Sequence, residues 1–214
     1  MHPLGRNVYF VMDSERVAVH WGTMSNLLPD LICAKLLLQP NKQWKYWINL
    51  TGQEFPLRTN WELVRALRIL NGTNLVETLT NLDRERFPVN HQLSFNVTWF
   101  KGSVHVVVRR EFVDYMSHNP KSIELLQELK RHEEESGVGR FPDEGYFSTL
   151  IGNPNVFHIP GTYAQPFAYK REYYLQRLKN GLIRIALVVV DIGDLFRILG
   201  SGFSDAHDLF LLFS

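Results

Sequence analysis

Two stretches of this 214-residue chain hold side chains whose types and spacing suit chemistry. The first is Asp143-Glu144, which follows Gly137, Gly139 and Pro142 and precedes Tyr146 and Phe147. A carboxylate beside aromatic surface is a candidate general base, because burial disfavours its charged form and lifts its pKa toward the working range. The same two acids would also serve as caps for a helix beginning near Tyr146, where free backbone N–H groups attract negative charge. On residue types alone that plainer role carries more weight.

The second stretch is Trp44-Lys45-Tyr46-Trp47, running into Asn49-Leu50-Thr51-Gly52-Gln53-Glu54-Phe55-Pro56. Aromatic rings stack on the apolar faces of sugars while neighbouring amides serve the hydroxyls, so such a cluster fits a saccharide site. A buried strand with aromatic core residues explains it equally simply. Metal chemistry finds little support: His105, His118, His132 and His158 lack ligand spacing, and Asp13-Ser14-Glu15 only approximates an Asp-x-Asp triplet. Cys33 is the single cysteine, so neither an internal disulfide nor a cysteine-rich zinc site can be built.

Apolar residues make up 45% of the chain and aromatic residues 13%, enough to bury a core in one globular domain. Lys plus Arg (23) nearly balance Asp plus Glu (22), which argues against a nucleic-acid partner. Residues 1–6 lack a signal-peptide pattern, and no run reaches the roughly 20 apolar residues of a spanning helix. Three Asn-x-Ser/Thr triplets begin at Asn49, Asn71 and Asn96; Asn71, beside a glycine, is the favoured sugar acceptor, and Asn49 the least favoured.

The elements that must position these groups alternate. Asn7–Met12 reads as a strand leading into a polar loop, residues 25–38 as a helix despite Pro29, and Tyr46–Leu50 as a buried strand. Thr59 or Asn60 caps a helix through Leu70 that Asn71-Gly72 stops. Ser103–Val108 is a strand, and a helix from Arg110 is expected to continue beyond Pro120. Ser122 is expected to cap a further helix to Ser136, with Glu128–His132 and Arg131–Glu135 pairs on a solvated face. Ile185–Val190 reads as a strand. Strand alternating with helix predicts an α/β fold.

Trp44 to Asn60, read as Trp-Lys-Tyr-x-Ile-Asn-Leu-x-Gly-x-x-Phe-Pro-x-x-Thr-Asn, resembles the signature block of the core-2/I-branching N-acetylglucosaminyltransferases, which have xylosyltransferases as relatives. The likeness continues through Leu70-Asn71-Gly72-x-Asn74-Leu75-x-Glu77-Thr78, Phe100-x-Gly102-Ser103, Pro142-Asp143-Glu144 and Gly193-Asp194-Leu195. It implies a GT-A-like mixed sheet flanked by helices and lacking the first strand. Residues 1–214 would form one partial glycosyltransferase domain, with 7–78 the remnant of the donor half and 79–214 the acceptor and catalytic half. It also implies inverting transfer of N-acetylglucosamine from UDP-N-acetylglucosamine to a galactose- or N-acetylgalactosamine-containing glycan. No metal and no other cofactor are expected. The family location is the Golgi membrane, with the domain in the lumen.

Carried over residue by residue, the resemblance makes Glu144 the base that takes the acceptor hydroxyl's proton. Asp13 and Arg184 become donor contacts, and Glu77, Arg86, Tyr173 and Tyr174 acceptor contacts. One carboxylate suffices for direct displacement, unlike the pair used in glycoside hydrolysis. The segment between Asp13 and Trp21 is shorter than in the family, and Thr51 and Leu187 stand where the family has cysteines. A truncated or divergent member with weak or no activity of its own is therefore expected. The competing reading is a non-catalytic protein that binds a glycan or a partner through the acceptor groove and has lost donor binding.

Overall fold

The computed structural model describes residues 2–3, 9–40, 43–50, 59–79, 86–88, 90–138, 140–162 and 210–213. Strand β1 (His2–Pro3) pairs antiparallel with β2 (Tyr9–Phe10), and a 3-10 turn follows at Asp13–Glu15. The remaining elements are α1 (Met24–Leu37), β3 (Tyr46–Asn49), α2 (Asn60–Leu70), β4 (Val107–Arg109), α3 (Arg110–His118), α4 (Pro120–Ser136), α5 (Pro142–Gly152), α6 (Pro154–Phe157) and β5 (Phe210–Phe213). Strand β3 lies between β4 and β5, antiparallel to both.

Period-two alternation divides the core between the sheet's two faces. Trp47, Val106 and Val108 join one apolar cluster with side chains of α1, α3, α4 and α5. Tyr46, Ile48 and Val107 join the other with Leu63, Ala66, Leu67 and Leu70 of α2. All four β3 residues are buried, as expected of a strand covered on both sides. The described sheet is thus the middle layer of a helix–sheet–helix arrangement, an α/β architecture with antiparallel pairing. No helix among the described residues is long and apolar enough to cross a membrane.

Local chemistry explains the boundaries. Thr59 caps α2 in a reciprocal box with Glu62, and Asn71 ends that helix in the left-handed region at φ 43°. The expected strand from Ser103 is shorter, because the side chain of Asn49 substitutes for the ladder beyond Ile48. Its amide accepts from the Val106 N–H at 2.8 Å and donates to the Val104 carbonyl at 2.8 Å and to Asp30 at 2.9 Å. Asn49 is therefore spent in the core, while Asn71 and Asn96 are exposed.

Three expectations about the middle helices need correcting. The helix from Arg110 stops at His118, because Pro120 forces Asn119 into extended backbone (ψ 130°) and then starts α4 at its first position, with Asn119 as the cap. Ser122 caps nothing of its own helix: it is buried, and its hydroxyl lies 2.7–3.2 Å from the carbonyls of Tyr115, Met116 and Asn119 at the end of α3. Glu128 faces inward rather than toward solvent, and its partner is Arg131, one turn on, which also pairs with Glu135.

Thr59→Ala is expected to cost about 1 kcal/mol of unfolding free energy. Asn49→Ala strands a buried N–H and a carbonyl and is expected to cost about 2–3 kcal/mol. Urea denaturation of both variants checks the order, and equal losses would contradict the role given to Asn49.

Candidate active site around Glu144

Helix α5 carries the site. Pro142 occupies its first position, so Asp143 and Glu144 lie inside the first turn. Neither acid caps a helix starting near Tyr146; the cap position is Phe141, which makes no side-chain cap bond and sits at φ 53°. A bulky residue in the left-handed region is strained, and such strain gathers at functional sites.

Neighbouring residues on a helix point about 100° apart, which gives the two carboxylates opposite surroundings. Asp143 turns inward, 9% exposed, with one oxygen 3.4 Å from the Asn26 amide of α1 and the other without a hydrogen-bond partner. Burial pushes its carboxyl above the ordinary aspartate range, with a smaller push from the neighbouring Glu144 charge. Glu144 turns outward, with its side chain 25% exposed, and pairs with the Arg86 guanidinium and, at 3.2 Å, with the Lys101 ammonium. Arg86 also lies over the Phe141 ring at 4.6 Å.

The chain segment bringing Lys101 to Glu144 docks along a face of α5 made of small residues. Asn153 exchanges bonds with the backbone of Thr98, Thr149 with the backbone of Phe100, and the Gly102 N–H donates to the Glu144 carbonyl at 2.7 Å. A β-carbon on Gly152 would fall 2.2 Å from the Phe100 ring, and one on Gly145 would fall 2.5 Å from the Phe87 ring. A β-carbon on Gly102 would sit 2.2 Å from both the Glu77 carbonyl and the Ser148 hydroxyl. The opposite face of α5, with Tyr146, Phe147 and Leu150, fills the core.

Of the expected site residues, Glu144 and Arg86 are in direct contact, and the Glu77 carbonyl lies close to Gly102, whose N–H bonds the Glu144 carbonyl. Asp13 lies on the exposed 3-10 turn and pairs with Arg16 at 2.8 Å; no ion pair among the described residues links it to Glu144 or Arg86. Arg184, Tyr173 and Tyr174 fall outside the described residues, as do residues 51–58, the expected strand Ile185–Val190 and Gly193-Asp194-Leu195. The Trp44–Trp47 aromatics are core: Trp44, Tyr46 and Trp47 are all buried. Reading residue types missed Lys101, Asn26 and Phe141. The only trace of Lys101 was its place beside Gly102 in the Phe-x-Gly-Ser motif. Among the described residues no three His, Cys, Asp or Glu side chains converge as a metal site.

Gly102→Ala forces a backbone carbonyl to move and is expected to destabilise by about 2–3 kcal/mol. Gly137→Ala, at φ 66° but in open space, should cost only about 1 kcal/mol. Chemical denaturation separates them, and a smaller loss at Gly102 would refute the close approach. The raised Asp143 carboxyl has a definite linkage sign: its stabilising contribution is present below the unfolded value of about 3.9 and is lost as pH rises through the higher folded value. The melting temperature of Asp143→Asn relative to the native chain should therefore rise between about pH 4 and pH 7. A difference that does not vary with pH would contradict it.

Comparison with known proteins places this chain in a family. The chain is similar to beta-1,3-galactosyl-O-glycosyl-glycoprotein beta-1,6-N-acetylglucosaminyltransferase 4 of Danio rerio, 32% identical over 183 residues that cover 74% of this chain and 40% of the relative. The corresponding enzyme 3 of Homo sapiens is 31% identical over 160 residues, 64% of this chain and 34% of the relative. A Bovine herpesvirus 4 enzyme of the same type is 28% identical over 221 residues, 88% of this chain and 49% of the relative. The chain thus spans 34–49% of the length of these curated relatives. Residues 5–163 match the family model, and the chain belongs to the Core-2/I-Branching enzyme family.

Proposed function

We propose that this chain works in the transfer of N-acetylglucosamine from UDP-N-acetylglucosamine to a β-1,3-galactosyl-O-glycosyl acceptor, with Glu144 as the general base. The observation that carries this reading is the setting of Glu144, on the first turn of α5, partly exposed and held between Arg86 and Lys101. The names of the similar proteins supply the sugar and the acceptor class.

The chemistry asks one carboxylate to accept the proton of the acceptor hydroxyl as that oxygen attacks the anomeric carbon and the bond to UDP breaks. The anomeric centre inverts because attack and departure are on opposite faces. Two cations hold the carboxylate in one orientation, which reduces the reorganisation needed when the hydroxyl arrives. Arg86, paired with that carboxylate, is the candidate for an acceptor contact beside it. Glu77 remains the family-based candidate for an acceptor contact, and its backbone carbonyl beside Gly102 supports that reading. The departing UDP, in the metal-independent route that the family resemblance implies, is neutralised by basic side chains, for which Arg184 is the sequence candidate. Asp13 remains the candidate for the uracil, and the Golgi lumen the expected setting.

Glu144→Gln is expected to lower transfer from UDP-N-acetylglucosamine to a β-1,3-galactosyl acceptor by about 10²–10⁴-fold while leaving UDP affinity unchanged. Radiolabelled transfer and calorimetric UDP titration check the two halves. Turnover retained within a few-fold in Glu144→Gln would remove Glu144 from the base role.

A further inference from the structure

Trp21 is the most exposed large apolar residue among those described, with 83% of its surface open, yet its backbone is firmly held. It occupies a turn closed by the Thr23 N–H on the His20 carbonyl at 3.1 Å, with Gly22 at φ 77° supplying the left-handed position. The Gly22 carbonyl accepts the Phe141 N–H at 2.8 Å, and the Phe141 ring lies 3.1 Å from where a Gly22 β-carbon would be. The Trp21 indole meets the same ring edge to face at 4.7 Å. A continuous path of contacts therefore runs from Trp21 to Phe141, to the Arg86 guanidinium over that ring, and to Glu144.

We infer that Trp21 is a saccharide-stacking platform for the glycan acceptor, separated from the catalytic carboxylate by the Phe141 ring and the Arg86 guanidinium; this rests on the function proposed above. An exposed indole held by a rigid turn offers a flat apolar face with little conformational entropy left to lose, and the apolar face of a pyranose fits it. The strained backbone of Phe141 joins the two halves of the device, since its N–H is tied to the Trp21 turn while its residue opens the helix that bears Glu144. Arg86, on the Phe141 ring, is positioned to serve the hydroxyls of a sugar lying on this shelf. The aromatic stripe at Trp44–Trp47 cannot do this work, because it is buried.

The chain contains five tryptophans, so 5-fluorotryptophan labelling yields five fluorine resonances, and Trp21→Phe assigns one of them. The methyl glycoside of β-1,3-galactosyl-N-acetylgalactosamine is expected to shift the Trp21 resonance saturably, whereas UDP leaves it in place. Trp21→Ala should weaken disaccharide binding about tenfold and Trp21→Phe restore most of it, with far-UV circular dichroism unchanged in both. A Trp21 resonance that ignores the disaccharide overturns the inference, whether the sugar binds elsewhere or not at all. One that moves with UDP alone overturns it in favour of a nucleotide contact. Transfer measured on the same sample separates the two readings. Turnover with a silent Trp21 sinks only the platform, and a sugar-responsive Trp21 without turnover sinks only the enzymatic reading.

Discussion

The close approach of residues 98–102 to helix α5 is the constraint on which the site depends. It requires Gly102 to pass between the Glu77 carbonyl and the Ser148 hydroxyl, and Gly152 to admit the Phe100 ring. Gly145 makes the same allowance for Phe87, next to Arg86 in sequence. With side chains at these positions the segment would stand off the helix, and the cations that hold Glu144 would lose their seat. The glycines and the charged residues of these motifs therefore form one device, in which the small residues set the distance across which the ion pairs operate.

Behind this face, burial from both sides decides what the sheet can contain. Tyr46, Trp47 and Ile48 supply apolar surface to two clusters at once, and side-chain amides complete hydrogen bonding where the backbone cannot. Asn49 substitutes for ladder partners at one end of β3. Asn74 accepts from the Arg109 N–H at 2.8 Å and donates to the Pro160 carbonyl at 2.8 Å, tying the end of β4 to the chain beyond α6. Leaving those groups unpaired in the interior would cost about 1–3 kcal/mol each. Both asparagines belong to the motifs that carry the family likeness, and both are structural.

Two adjacent carboxylates illustrate how little residue type says about role. Asp143 and Glu144 share a helix turn and nearly the same chemistry, yet helical geometry sends one toward Asn26 in the interior and the other toward Arg86 and Lys101. Burial raises the Asp143 carboxyl above the ordinary aspartate range. Of the two, Glu144 is the one left partly open at the surface.

Local signals in the chain determined the α/β alternation, the Thr59 cap, the Asn71 stop and the burial of the Tyr46 strand, because each rests on side chains within one turn or one pleat of each other. The family motifs also singled out Glu144 and Glu77 as candidates, and the wider resemblance singled out Arg86. Helix ends at Asn119 and Phe141 were misread because a proline's effect on its predecessor competed with more familiar cap residues at Ser122 and before Tyr146. Only the tertiary structure decided which carboxylate faces out, which aromatics are core and which tryptophan is open, and that Lys101 meets Glu144. Those facts follow from contacts between residues tens of positions apart, which depend on packing distance and burial and leave no periodic trace in the sequence.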